Sequence, residues 1–263
     1  MVSEYLAKHL PTALSLVDPK SHQDLVGVCH AVDRDILAKP SGKASGSTAV
    51  VALIPDALSS AAERRVVVVT VGDSKAILLR ANGTTYLDLS DTPLHLPTHP
   101  DEANRINLAG GLVIKDKHGA IRIRNGPNVS RAFGDGLYKD QPLLAYEQRQ
   151  MVATPTCASV NLCHGDVLAL FCDGLYEGQS IARLAKTLAT LLYKEKRSLK
   201  QAAAAAVLES IQGKADMTRP STDNHTLMLI GGSSAPPIPP IPPTEISQSS
   251  SAFNSSFRKI SLV

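Results

Sequence analysis

Tryptophan is absent from this 263-residue chain, and aromatic residues make up only 4% of it. Surfaces that bind single-stranded nucleic acid stack bases on aromatic rings, so this composition argues against one. Charge argues the same way, because the net value is only +3 and no long basic run offers a track for phosphates. No nucleic-acid partner is expected. The four cysteines, Cys29, Cys157, Cys163 and Cys172, show no CxxC pairing, which removes a zinc site or a disulfide framework from consideration. Three of them sit among apolar residues, where cysteine acts as a small hydrophobe. The chain shows no signal peptide and no apolar run of about 20 residues, so no membrane span is expected. The expected setting is reducing and intracellular, cytoplasmic or nuclear.

What is present is a buried-strand pattern with an acid at its end. Asp166 is followed by Val167-Leu168-Ala169-Leu170-Phe171-Cys172 and then by Asp173-Gly174. The run is too short for a membrane and too continuous for a half-exposed strand. A carboxylate delivered to the end of such a strand costs free energy unless a cation or donor meets it. Gly174 removes the side chain that would hold a ligand away.

Around this stretch the periodicity predicts helices over 3–17 and 21–38, the second opened by Ser21 and Asp24 in a capping pattern. Pro11 argues that the first is short or kinked. A Pro/Gly/Ser/Lys loop over 39–45 leads to a strand over 47–54. Val66–Val71 is β-branched almost throughout and reads as a strand buried on both faces. It ends in Gly72-Asp73-Ser74. Strands over 76–80 and 84–89 flank Asn82-Gly83, a hairpin signal. A short helix opens at Pro100 and stops at Gly110-Gly111. Ser130-Arg131-Ala132-Phe133-Gly134-Asp135 places another Gly-Asp after a short apolar stretch, and 136–150 is a polar connection. A strand interrupted by Pro155 is expected over 152–162. Helices are expected over 180–196 and 198–213, the second with Ser198 and Gln201 as a capping box. A last strand is expected over 227–230. From Gly232 a proline run, Pro236–Pro243, and a serine-rich end cannot build a core, so 232–263 is expected to be a disordered tail after a domain over 1–231.

Asp73, Asp135, Asp173 and Asp223 each adjoin an apolar run. All-oxygen ligation suits a hard cation such as Mg²⁺ or Mn²⁺, and such ions can activate water and clamp a phosphate. Taken singly, an acid beside glycine marks an ordinary turn; four in this order point to a site. The order also resembles a known family, the metal-dependent protein serine/threonine phosphatases of type 2C (PPM-type). The matching pieces are Gly46-Ser47-Thr48-Ala49, Gly72-Asp73-Ser74-Lys75-Ala76, and His99-Pro100-Asp101-Glu102 through Gly110-Gly111. They continue with Val129 to Asp135, Cys172 to Tyr176, and Ser221-Thr222-Asp223-Asn224-His225-Thr226. Together they span residues 3 to about 231.

The resemblance implies an α+β fold, an α/β/β/α sandwich of two antiparallel sheets flanked by helix pairs and lacking its first strands. It implies Mg²⁺ or Mn²⁺ as cofactor, with Asp173 and Asp223 as core metal ligands, Asp73 linked to a further metal, and phosphoserine and phosphothreonine proteins as substrates. Two departures accompany it. The family's opening motifs, an arginine with an acidic pair and an Asp-Gly-His-Gly-Gly segment, would precede Ser3, so no catalytic residue is assigned and the chain is read as N-terminally incomplete. Glu177 stands where most members carry a second aspartate. Three carboxylates against the four charges of two divalent ions imply weak metal binding and little turnover, and uncovered sheet edges. The alternative is a pseudophosphatase acting as a regulatory binding protein.

Smaller signals remain. His9, His22 and His30 are expected to be solvated, and His95 and His99 to lie in a proline-broken loop. Arg131 either contacts phosphate or pairs with Asp135 at a strand end, the second being the plainer reading. The proline run fits an SH3 or WW domain, and Ser261-Leu262-Val263 fits a PDZ-type groove, as tail-borne partner sites.

Overall fold

The computed structural model describes residues 1–54, 65–90, 95–117, 119–212, 223–232 and 259–262. Helices α1 (Val2–Leu14), α2 (His22–Leu37) and α3 (Pro40–Ala44) come first, followed by strands β1 (Gly46–Ser47), β2 (Ala49–Ile54), β3 (Arg65–Val71), β4 (Lys75–Leu79) and β5 (Tyr86–Asp88). Helix α4 (Pro100–Leu108) precedes β6 (Val113–Lys115), β7 (Ile121–Ile123), β8 (Phe133–Gly134), β9 (Thr156–Asn161) and β10 (Val167–Phe171). Helices α5 (Ile181–Ala189) and α6 (Leu199–Gln212) then lead to β11 (Leu227–Gly231) and β12 (Lys259–Leu262).

Two four-stranded sheets carry the architecture, in the orders β12-β2-β3-β9 and β11-β10-β4-β5, and every pairing in them is antiparallel. Strand alternation then sorts the side chains into layers. From β2 and β3, Ala49, Val51, Leu53, Val67, Val69 and Val71 pack under α1 and α2 against Leu6, Leu10, Leu25 and Ile36. Their alternates Val50, Ala52, Val66 and Val68 meet Ala76, Leu78, Leu168 and Leu170 between the sheets. Ile77, Leu79, Val167, Ala169 and Phe171 face the other way, onto Leu184, Leu188, Ala202 and Ala206 of α5 and α6. The result is the expected α/β/β/α sandwich. Burying a Val or Leu side chain stabilises by roughly 1.5–3 kcal/mol. Continuous apolar runs such as β3 and β10 therefore take positions with apolar layers on both faces.

Local signals act as read in several places. The Ser21 hydroxyl accepts from the Asp24 N–H at 3.2 Å, and Ser198 and Gln201 bond reciprocally through Ser198 N–H and Gln201 N–H. Elsewhere packing overrides the signal. Helix α1 runs through Pro11, because its stripe of Val2, Leu6, Leu10 and Leu14 is buried along the whole length. The expected loop over 39–45 contains the short helix α3, with Pro40 in its first turn. Helix α5 continues as a π turn over Thr190–Lys194. The tail beyond Gly232 is described only over 259–262, and those residues form strand β12, where the sequence shows no strand. The proline run and Val263 lie outside the described residues. Among the described residues, no helix is long and apolar enough to cross a membrane.

Candidate metal centre

Strand register explains how acids far apart in sequence meet. In the second sheet β10 lies between β4 and β11, and Phe171 is opposite both Lys75 and Leu227. The chain leaving β10 therefore passes beside the chain entering β4 and the chain entering β11. Asp173 is two residues beyond Phe171, Asp73 two before Lys75, and Asp223 four before Leu227. One end of one sheet thus receives all three.

The turns that carry these acids are locked to one another. Cys172 N–H donates to the Thr226 carbonyl at 3.3 Å, and Thr226 N–H donates to Cys172 Sγ at 3.2 Å. Cys172 Sγ donates in turn to the Asn224 carbonyl at 3.2 Å. Gly174 is required here, since a side chain on it would collide with the Asn224 carbonyl. Ser210, wholly buried on α6, donates from Oγ to the Gly174 carbonyl at 3.3 Å and stands 3.2 Å from His225 Nε2. Tyr176 donates its hydroxyl to the Asp73 carbonyl at 2.6 Å, tying the third turn to the other two. Gly72 adopts φ +99°, a left-handed conformation that disfavours any side chain, and its N–H donates to His95 Nδ1 at 3.0 Å.

The electrostatics are those of acids gathered together. Burial, reinforced by the charge of Asp173 and also of Asp223, pushes Asp73 up to about 6, although its own backbone and Lys75 oppose the shift. Asp173 is likewise raised, first by burial and then by the charges of Asp223 and Glu177. Among the described residues neither Asp73 nor Asp173 enters an ion pair. Three hard oxygen donors repelling one another fit a hard divalent cation, which would reverse the sign of the local field. The same acids do not close on a point: among the described residues no three His, Cys, Asp or Glu side chains stand in a metal-holding arrangement.

The remaining candidates are distributed elsewhere. Asp135 takes a left-handed backbone at φ +51°, and the charges acting on it are Lys139 and Asp33 rather than the other three acids. Arg131 is structural, but its partner is not Asp135. Its guanidinium donates to Glu102 at 2.7 Å and to the Thr154 carbonyl at 3.1 Å. Arg105 donates to the same carboxylate at 2.7 Å, so α4 supplies the acid that the sequence assigned to the strand end. His9 and His22 are exposed as expected, but His30 is not solvated: its Nε2 lies 2.8 Å from Thr154 Oγ1 and its ring packs on Tyr146. His95 is buried rather than a plain loop residue, and it holds the turn that carries Asp73. Neither Ser210 nor His95 lies in a motif, so their support of the acid-bearing turns has no sequence signal.

The fold is an α+β sandwich with three carboxylates gathered at the end of one sheet. The family model for protein phosphatase 2C matches residues 1–218, and the chain belongs to that family. It is 34% identical over 138 residues to "Probable protein phosphatase 2C 60" of Arabidopsis thaliana, covering 52% of this chain and 34% of that protein. It is also 34% identical over 158 residues to "Protein phosphatase ppm-1.G" of Caenorhabditis elegans, covering 60% of this chain and 29% of that one. The chain thus spans about a third of the length of these relatives. A crystal structure of a phosphatase from Toxoplasma gondii superposes with a TM-score of 0.74 at 25% identity, covering 89% of this chain and 81% of that one.

Proposed function

We propose that this chain is a protein serine/threonine phosphatase domain of the metal-dependent type, acting on phosphoserine and phosphothreonine in proteins. The observation that carries the reading is the gathering of Asp73, Asp173 and Asp223 at one sheet end, where burial and then the neighbouring acids raise the first two. Asp173 and Asp223 would hold Mg²⁺ or Mn²⁺, with Asp73 beside them. A bound ion of this kind supplies an acidified water and a clamp on phosphate oxygens. The chain's own residues fix the turns that present these acids to the ion, through Tyr176, Ser210 and the Cys172–Thr226 pairing. Three carboxylates offset two divalent ions incompletely, so the 263-residue polypeptide should bind metal weakly and turn over slowly.

A second reading, a pseudophosphatase that binds regulatory partners, is favoured by the lack of a closed metal-holding group among the described residues. Calorimetric titration with Mn²⁺ and a phosphopeptide release assay separate the two. The phosphatase reading expects Mn²⁺ binding that Asp173→Asn abolishes, with slow turnover that follows metal occupancy. Absence of any Mn²⁺ binding would sink it in favour of the binding protein, while rapid turnover would refute the weakness argued from charge.

A further inference from the structure

Strand β9 stands at one edge of the first sheet, paired with β3 from Thr156 opposite Thr70 to Asn161 opposite Arg65. In an antiparallel pair every second residue turns its N–H and C=O away from the partner. Among the described residues, the main chain of Thr156–Val160 hydrogen-bonds to β3 alone, so its outer groups are open to another strand. Edges are commonly blunted by lysine or proline, and Thr156–Asn161 contains neither.

Beside this edge lies a cavity of about 290 Å³, between the start of α2 and the paired strands β3 and β9. Leu25 and Val67 are buried in its floor, and β9 forms one wall with residues 157–159. Lys20, His22 and Arg65, each from a different element and all exposed, stand around it, and among the described residues no acid lines it. None of these three side chains enters an ion pair or a hydrogen bond among the described residues. Asp73 follows the far end of β3 from Arg65. A strand of that length places the cavity roughly 25 Å from the acid-bearing turns. It is a separate site.

The three features together select the occupant. A small anion would meet the cations and leave the apolar floor and the strand edge unused. A neutral apolar peptide would cover the floor and the edge and leave the cations unmatched. An extended peptide carrying an acidic side chain satisfies all three.

We propose that the open edge of β9 and the adjoining cavity form a docking site for an extended, acid-bearing segment of a partner protein. The segment adds to β9 through main-chain hydrogen bonds, and its glutamate or aspartate side chain enters the cavity toward Lys20, His22 and Arg65. Main-chain pairing supplies affinity, and the basic rim rejects segments without the acid. Docking here needs neither metal nor turnover, so it stands or falls apart from the phosphatase reading.

The test uses the full chain without added metal and a labelled hexapeptide, Val-Thr-Glu-Leu-Thr-Val. Fluorescence anisotropy should give a Kd below about 1 mM. Affinity should fall at least about ten-fold when glutamine replaces the peptide's glutamate, or when the chain carries Lys20→Ala with Arg65→Ala. Both substituted side chains are exposed, and the double variant should keep the parent's circular dichroism and melting temperature. Hydrogen exchange under saturating peptide should slow across β9 and stay unchanged in β11, at an edge of the other sheet. No binding, or equal affinity for the glutamine peptide, overturns the proposal. Binding that leaves β9 exchange unchanged would reduce it to an adventitious charge contact and overturn it, as would equal protection of β11. A concentration-dependent dimer in sedimentation that protects β9 would assign the edge to a second copy of the chain and overturn the partner segment.

Discussion

The Asp33–Lys139 pair sets the sharpest stability expectation. Asp33 of α2 is fully buried, and its carboxylate accepts from Lys139 Nζ at 2.8 Å on each oxygen, from Tyr146 Oη at 2.6 Å and from Gly134 N–H at 2.7 Å. Lys139 Nζ also donates to the Ala132 carbonyl at 2.7 Å. Every polar atom of the cluster therefore has a partner, and together they fasten the Gly134-Asp135 turn to α2. Lys139→Met keeps an unbranched apolar stem but removes the ammonium, leaving Asp33 as a buried carboxylate without this cation and the Ala132 carbonyl without this donor. Removing one partner of such a pair costs about 3–5 kcal/mol, a large share of the ~5–15 kcal/mol that stabilises a folded domain. At roughly 2–4 °C per kcal/mol for a domain of this size, the melting temperature should fall by roughly 6–20 °C. Urea titration and thermal circular dichroism measure it. The double variant Asp33→Asn, Lys139→Met removes both charges while keeping an acceptor for Gly134 N–H, so it should recover part of the loss. A single variant within about 1 kcal/mol of the parent, or a double variant worse than the sum of the singles, would refute the reasoning.

Two further outcomes follow from buried groups near the acid cluster. His95 is lowered to about 3, first by burial and then by the charge of Arg131, and its Nδ1 must stay unprotonated to accept from Gly72 N–H. Its folded pKa lies below the unfolded one, so stability is full above about pH 6.5 and falls by up to about 1.4 kcal/mol per pH unit on acidification toward 3. His30 is also lowered and adds a loss of the same sign; His95→Asn should flatten, not abolish, the slope between pH 6.5 and 4.5, and an unchanged slope would count against it. Ser210→Ala leaves the Gly174 carbonyl and His225 without their shared hydroxyl, costing about 1–3 kcal/mol of stability and weakening Mn²⁺ binding several-fold. Mn²⁺ affinity equal to the parent's would mean that strand pairing alone sets the acid-bearing turns.

Much of the fold was legible because its signals are periodic. Val66–Val71 and Val167–Phe171 read as buried strands from composition alone, and they occupy the middle of their sheets. The proximity of Asp73, Asp173 and Asp223 was legible only through motif order, because register between β4, β10 and β11 is a tertiary fact with no local trace. The acid that Arg131 meets was illegible for the same reason. Nothing in the sequence sets Glu102 nearer to Arg131 than Asp135, which is four residues away; α4 packing decides it. Strand β12 was hidden by composition, since a four-residue alternating run at the end of a Pro/Ser-rich segment carries too little apolar content to stand out. Pro11 misled in the opposite sense, because a propensity cost of about 3 kcal/mol is outweighed by four buried apolar residues along α1.

The buried and half-buried acids of this chain divide by whether a cation meets their charge. Asp33 has Lys139, Glu102 has Arg131 and Arg105, and Asp166 has Arg80 at 2.7 Å. Glu102 shows the consequence: burial alone would raise it, yet the two guanidiniums hold it down at about 2. Asp73 and Asp173 are raised instead, because burial and neighbouring acids act in the same direction and the charge of Lys75 on Asp73 does not outweigh them. A fold that supplies matched cations to three other acids has the means to neutralise these two. Leaving them raised costs stability at one sheet end, in turns locked by Gly72, Gly174, Tyr176 and Ser210, and a bound cation would remove that cost. By this argument adding Mn²⁺ should raise the melting temperature of the parent chain and leave that of Asp173→Asn unmoved, and an equal shift in both would place the ion elsewhere.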